Sequence, residues 1–355
     1  MRRIRLNNPF TISFGKIPLE NIERPVQIQE IVDSFTADPI NQQIAMVTGV
    51  RGSGKTVLMT DVTRRLREDE NWIIVELNPE TDMLLGLASS LASIREYSEI
   101  FRKAKLNLSF WGFGIEISGE PPITNIETAV SRMLESLKKR HKRVCVAVDE
   151  VTNNENVRIF AAAFQIFVRQ ELPVFLIMTG LYENIYELQN EKSLTFLYRA
   201  PKVTMAPLNM MAMTSRYAEV FSIEEPAAKE MARMTKGYPF AFQVLGYLTW
   251  RANGDYKSVK KEYRQYLEEF VYEKIWMELS SKDRELAYGI ALSKTGETAE
   301  IRDLSGLNPN AYSVYRSRLL RKGIVESSEY GKLQFTLPLF APFVLDRKEE
   351  ECTES

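Results

Sequence analysis

The sequence predicts an α/β fold built on a parallel sheet, followed by a helical region and a small C-terminal domain. Three observations carry that prediction. Four near-continuous apolar runs, QQIAMVTG, NWIIVELNP, VCVAVDEV and PVFLIMTG, alternate with segments of helical spacing. Such runs suit strands buried on both faces, the usual condition of a parallel sheet covered by helices. The first run ends in a glycine-rich loop that opens a helix, and beyond KVTMAPL, read as the last strand, the pattern turns helical.

Each element has its own local reason. NPFTISFG reads as a turn, and RPVQIQEIVDSF as a helix eased at its start by Pro25. KTVLMTDVTRRLRED carries helical spacing after the glycine loop, and TDMLLGLASSLASIREYSEIF reads as one helix opened by Thr81 or Asp82. KLNLSFWGFGIEISG alternates with period two through Leu106, Leu108 and Phe110 and then Ile115 and Ile117, which predicts a β-hairpin bent at Trp111-Gly112. A helix from about Asn125 to Lys139 returns the chain to the third strand, and NVRIFAAAFQIFVRQ leads to the fourth.

A length of 355 residues is long for one core and comfortable for two or three domains. The boundaries expected are 1–208, 209–276 and 277–355. Hydrophobic residues make up 45% and charged residues 26%, the balance of a soluble globular protein. A net charge of −1 gives no whole-molecule attraction to nucleic acid. MRRIRLNNPF has no apolar run suited to a signal peptide, and Cys145 and Cys352 sit in contexts that predict no disulfide framework, so a cytoplasmic location is expected. His141, in KKRHKR, reads as a solvated helix end, and no His/Cys zinc cluster can be assembled.

The chemistry begins in MVTGVRGSGKTVLM. Gly49-Val50-Arg51-Gly52-Ser53-Gly54-Lys55-Thr56 is a complete G-x-x-x-x-G-K-T, flanked by the strand and helix that the motif requires. Its glycines let backbone N–H groups turn inward on phosphate oxygens at a helix N-terminus. Lys55 reaches the β- and γ-phosphates, and the Thr56 hydroxyl is a Mg²⁺ ligand. The expected nucleotide contacts are therefore Gly49, Arg51, Gly52, Ser53, Gly54, Lys55, Thr56 and the next helical residue, Val57.

The third strand ends in Asp149-Glu150. Asp149 is placed to hold Mg²⁺ and Glu150 to polarise a water for in-line attack, although an acidic pair after a strand is commonly a solvated turn. Thr179, closing the fourth strand, either hydrogen-bonds the attacking water or γ-phosphate or serves as a cap. Arg199, in FLYRAP, either pairs with a local acid or reaches a neighbour's nucleotide as an arginine finger, which needs an oligomer.

These elements together resemble the AAA+ ATPases of the archaeal-ATPase type, related to replication-initiator and signal-transducing P-loop ATPases. NPF with Ile22-Glu23-Arg24, the Gly49–Thr56 loop, Asp149-Glu150, Thr179-Gly180, Arg199 and Gly237-Tyr238-Pro239 carry the likeness. It implies a P-loop AAA+ nucleotide-binding domain, a helical lid and a C-terminal winged helix, with ATP and Mg²⁺ as ligands and ATP hydrolysis as the reaction. It places Arg24 on the adenine side, Thr179 as sensor 1, Arg199 as the finger and Pro239 near the nucleotide. The sequence departs from the initiator pattern in having no sensor 2 arginine at the lid junction, where Lys236 is the nearest cation.

SSKDRELAYGIAL, ETAEIRDLSGL and NAYSVYRSRLLRKG read as three helices, and IVESSEYGKLQFTLPLFAPFVL as a hairpin with a trailing apolar segment. In a winged helix the third helix enters the major groove, which makes Tyr312, Arg316 and Arg318 candidates near duplex DNA. Residues 310–332 set Arg316, Arg318, Arg321, Lys322 and Lys332 against Glu326 and Glu329, a net of +3. That is a thin basic face, so a protein partner or packing on the ATPase core stands beside DNA. Phe335, Leu337, Leu339, Phe340 and Phe343 read as core. The function expected is an ATP-hydrolysing protein that couples nucleotide state to self-assembly or to winged-helix contacts. The alternative is a scaffold switch of negligible turnover that binds protein, and a metabolic kinase ranks third.

Overall fold

The computed structural model describes residues 7–13, 18–40, 42–327 and 331–353. Residues 1–6, with Phe14, Gly15 and Glu329, lie outside them, as does the side chain of Cys352. The chain divides into two compact units. One holds Arg24–Thr48 and Lys55–Thr204; the other holds Met1–Glu23, Gly49–Gly54 and Met205–Ser355. They are called the sheet unit and the helical unit below.

The sheet unit runs α1 (Pro25–Thr36), β1 (Ile44–Thr48), α2 (Lys55–Arg67), β2 (Trp72–Leu77), α3 (Met83–Ser93), α4 (Arg95–Lys103), α5 (Ile126–Lys138), β3 (Arg143–Val148), α6 (Glu155–Arg169), β4 (Val174–Gly180), α7 (Tyr182–Asn190) and β5 (Lys202–Thr204). All five strands are parallel, in the order β2-β3-β4-β1-β5. Every residue of β1 and β4 is buried, as strands covered on both faces require. Helix starts follow the side chains the sequence offers: Asp82, Asn125 and Asn154 each accept the amide three residues on, at 3.0, 2.8 and 2.9 Å. Cys145 lies in the middle of β3, where burial pushes its thiol up to about 12.

Two expectations within this unit are corrected. The single helix expected over TDMLLGLASSLASIREYSEIF breaks at Ile94, which is extended (φ −85°, ψ 118°). The break gives α4 its own apolar face, so that Tyr97 and Phe101 reach the core already met by Leu87 and Leu91 of α3. The β-hairpin expected at Trp111-Gly112 is absent; Ser109–Trp111 is a 3₁₀ turn. Asn107 explains why. Its side chain accepts from Ser109 N and Oγ at 3.2 and 2.7 Å and donates to the Glu120 carbonyl at 2.6 Å. Local bonds of this kind compete with a strand ladder. Leu106, Leu108 and Ile115 are nonetheless buried, whereas Phe110 is exposed and Asn107 is buried between the two leucines, so the period-two pattern follows neither strand pairing nor burial. The basic run after α5 is engaged locally: Lys138 donates to the Glu171 carbonyl, Lys142 to the Glu70 carbonyl, and Arg143 lies over the Trp72 ring.

In the helical unit, α8 (Met210–Phe221), α9 (Glu225–Met234), α10 (Pro239–Arg251), α11 (Lys260–Leu267) and α12 (Glu273–Met277) form a helical layer, with a π turn at Glu268–Tyr272 joining the last two. Phe10 of the opening turn is buried among Tyr217, Phe221 and Phe242. Then come α13 (Ser281–Leu292), α14 (Thr298–Ser305), α15 (Pro309–Lys322), an antiparallel pair β6 (Val325–Glu326) and β7 (Gln334–Phe335), and α16 (Phe340–Thr353). The trailing apolar segment is thus the start of a helix: Phe335, Leu337, Phe340 and Phe343 are buried, while Leu339 is exposed. Among the described residues, no helix is long and apolar enough to cross a membrane.

Candidate functional site

Lys55 and Thr56 open α2, directly after the glycine loop, as the motif's strand–loop–helix logic requires. Within the sheet unit the Thr56 hydroxyl donates to Asp149 Oδ2 at 2.7 Å. The Thr179 hydroxyl donates to the other carboxylate oxygen, Oδ1. The Glu150 N–H in turn donates to Asp149 Oδ1 at 3.1 Å and to Thr179 Oγ1 at 3.2 Å. Three strand or helix ends, those of β3, β4 and α2, therefore meet on one carboxylate. The parallel register makes this possible, because Met178 lies opposite Val148 and places Thr179 beside Asp149. Glu150 takes a left-handed backbone (φ +52°), an unfavourable setting for a side-chain-bearing residue, and its side chain is exposed.

Thr56 and Asp149 supply a hydroxyl and a carboxylate 2.7 Å apart, a pair of hard oxygen donors suited to Mg²⁺ that also binds phosphate oxygens and waters. The four hydrogen bonds of this cluster do not include Arg24, Arg199 or Val57. Arg24 precedes α1, half-buried, and burial lowers its guanidinium pKa. Arg199 ends the 3₁₀ turn Thr195–Arg199 with its side chain exposed. Val57 is half-buried on α2.

Residues 49–54 belong to the helical unit, where their surroundings are specific. Gly52 and Gly54 are left-handed (φ +69° and +86°). The Tyr238 hydroxyl donates to the Arg51 carbonyl at 2.5 Å, and the Phe240 N–H donates to the Gly52 carbonyl at 3.2 Å. The Arg51 guanidinium holds Glu278 Oε1 through Nη2 at 2.7 Å and Nε at 3.1 Å. A Cβ on Gly54 would stand 3.8 Å from the Pro239 ring, which brings the expected Pro239 to the loop. Ser53 is buried, and its N–H donates to the Val50 carbonyl at 3.3 Å. A Cβ on Gly49 would press on Met205 Cβ at 2.9 Å.

Gly52 tolerates nothing larger. A Cβ there would collide with the Tyr238 hydroxyl and stand 2.9 Å from Phe240 Cβ, on a backbone that side chains rarely adopt. Gly52→Ala is expected to cost about 1–3 kcal/mol. A lowered thermal unfolding midpoint is the check, and an unchanged midpoint would contradict this packing.

Sequence reasoning did not find Glu278 or the Tyr238 hydroxyl. Gly237-Tyr238-Pro239 flagged the lid junction, but nothing local to Glu278, 227 residues from Arg51, signals the pairing. One of the proposed DNA-facing residues, Tyr312, is also corrected. Tyr312 is buried, and Arg318 Nε lies 3.4 Å from Oδ2 of the fully buried Asp283. Asp283 closes a capping box with Ser280, so Arg318 has a structural partner. Arg316 is half-buried and Arg321 exposed. Lys236 is taken by the β7 carbonyl of Phe335, at 3.0 Å, and burial lowers its pKa.

Residues 22–196 match the family described as "ATPase domain predominantly from Archaea". The chain carries an archaeal-type P-loop ATPase domain. Residues 269–344, beyond that ATPase domain, match a "Domain of unknown function (DUF8462)". Comparison with curated proteins gives no match. Among solved structures, a Walker-type ATPase of Pyrococcus abyssi superposes with a TM-score of 0.65 at 16% identity, covering 92% of this chain and 96% of that one. The ORC2 protein of Aeropyrum pernix, solved in ADPNP–ADP complexes, superposes with a TM-score of 0.54 at 14% identity, covering 95% and 98%. At these identities the two likenesses establish the fold: a parallel-sheet P-loop core with a helical lid.

Proposed function

We propose that the protein binds ATP with Mg²⁺ at the Gly49–Thr56 loop and hydrolyses it slowly, coupling nucleotide state to contacts made by its C-terminal helices. The observation that carries this reading is the convergence of Thr56 and Thr179 on the Asp149 carboxylate, with Glu150 bonded to the same group. Lys55 binds the β- and γ-phosphates as a point charge, and loop N–H groups take up further phosphate oxygens. Thr56 and Asp149 would hold Mg²⁺, which when bound neutralises charge on the phosphate oxygens. Glu150 accepts the proton of the attacking water, held at the strand tip by its own N–H bond to Thr179. Arg24 and Pro239 contribute to the nucleoside side, and exposed Arg199 serves a second copy's nucleotide in a homo-oligomer.

In this reading residues 1–208, 209–276 and 277–355 are the nucleotide-binding, lid and winged-helix domains. Duplex DNA is the first partner, met by Arg316 and Arg321 of α15. A protein partner is the second reading, favoured by the burial of Tyr312 and the pairing of Arg318, which narrow the basic face. Binding to a duplex oligonucleotide, measured across salt concentrations with wild type and an Arg316→Ala, Arg321→Ala variant, separates the two. Salt-sensitive binding that the variant loses supports DNA, and no binding at low salt supports a protein partner.

A further inference from the structure

Two peptide units of the glycine loop are fixed by residues of the lid junction. In a planar trans peptide the carbonyl and the following N–H point in opposite directions. The bond from the Tyr238 hydroxyl to the Arg51 carbonyl, at 2.5 Å, therefore turns the Gly52 N–H away from Tyr238. Among the described residues, that N–H has no protein acceptor, whereas the next one, of Ser53, is held by the Val50 carbonyl. Glu278 fixes the same residue from its other end by gripping the Arg51 guanidinium.

Tyr238 is itself held for the task. It is buried, packs edge-on to Phe240 with ring centroids 6.4 Å apart, and follows Gly237, whose left-handed backbone (φ +75°) lies against Pro207 and Leu208. Burial raises its phenol pKa, so the hydroxyl stays a donor across the physiological range. A backbone N–H without a protein partner, in a left-handed glycine of a phosphate loop, is the kind of group that such loops turn on a phosphate oxygen.

We infer that Tyr238 is a positioning residue for triphosphate binding, acting through the Arg51 carbonyl to hold the Gly52 N–H in its donating orientation, with Glu278 steadying Arg51. The inference rests on the phosphate-loop reading above. Preorganising a donor in this way favours the ligand that uses it and leaves the nucleoside end unaffected.

The test is calorimetric titration of the full-length protein with Mg²⁺ and a non-hydrolysable ATP analogue, AMPPNP, and separately with AMP. The proteins are wild type, Tyr238→Phe, Glu278→Gln and Lys55→Ala, each checked for an intact far-UV spectrum. Tyr238→Phe keeps the ring and removes one neutral hydrogen bond, so AMPPNP affinity should fall about 5- to 10-fold with AMP affinity within about 2-fold. Glu278→Gln should show a smaller loss in the same direction. Tyr238→Phe with unchanged AMPPNP affinity, or with equal losses for AMPPNP and AMP, overturns the inference. In either case a weakened Lys55→Ala leaves the phosphate-loop reading standing. Unchanged AMPPNP binding in Lys55→Ala overturns that reading, and the inference with it.

Discussion

Lys55→Ala is expected to weaken ATP binding about 10- to 100-fold and to abolish measurable turnover. The side chain removed is the motif's only fixed positive charge from a lysine, placed at the first turn of α2. A hydrogen bond to a charged group contributes about 1.5–3 kcal/mol, which sets the lower estimate of the loss. The helix N-terminus and the loop N–H groups remain in the variant, so binding falls rather than vanishes. Titration with a fluorescent ATP analogue reads the affinity directly. Wild-type affinity together with wild-type hydrolysis would remove the phosphate-loop assignment.

Glu150→Gln carries the second large effect, and it falls on chemistry instead of binding. Its side chain is exposed on a left-handed corner whose N–H is fixed by Asp149 and Thr179, so the substitution leaves the backbone bonds that shape the corner intact. A glutamine cannot accept the proton of an attacking water. Loss of a general base slows a reaction by about 10²- to 10⁴-fold. ATP affinity should stay within about 2-fold of wild type, because the lost role is confined to the transition state. A variant that hydrolyses at the wild-type rate would show that another group takes the proton.

Much of the ATPase core was legible because its signals are local or periodic. Four of the five strands write themselves as apolar runs, with β1 and β4 buried throughout, and the phosphate loop is contiguous from Gly49 to Thr56. Thr56 and Asp149 were each expected at the Mg²⁺ position, but their direct hydrogen bond was not foreseen. What the sequence could not show are contacts whose partners lie far apart in the chain and have no periodic signature. Arg51–Glu278 and Tyr238–Arg51 are of this kind. The period-two reading of residues 106–117 failed for a different reason. Asn107, itself buried between Leu106 and Leu108, bonds local backbone groups that a hairpin ladder would compete for, and Phe110 is exposed. Tyr312 was misjudged because a helical face cannot be oriented from α15 alone; its side chain turns into the core of the helical unit.

The most direct test of the central claim is phosphate release from ATP by the purified protein in Mg²⁺, with the Glu150→Gln protein prepared identically as the contamination control. The account predicts slow release by wild type and release at least about 100-fold lower by Glu150→Gln, both proteins binding ATP. Equal release from the two preparations, or none from a wild type that holds ATP, would contradict hydrolysis at this site.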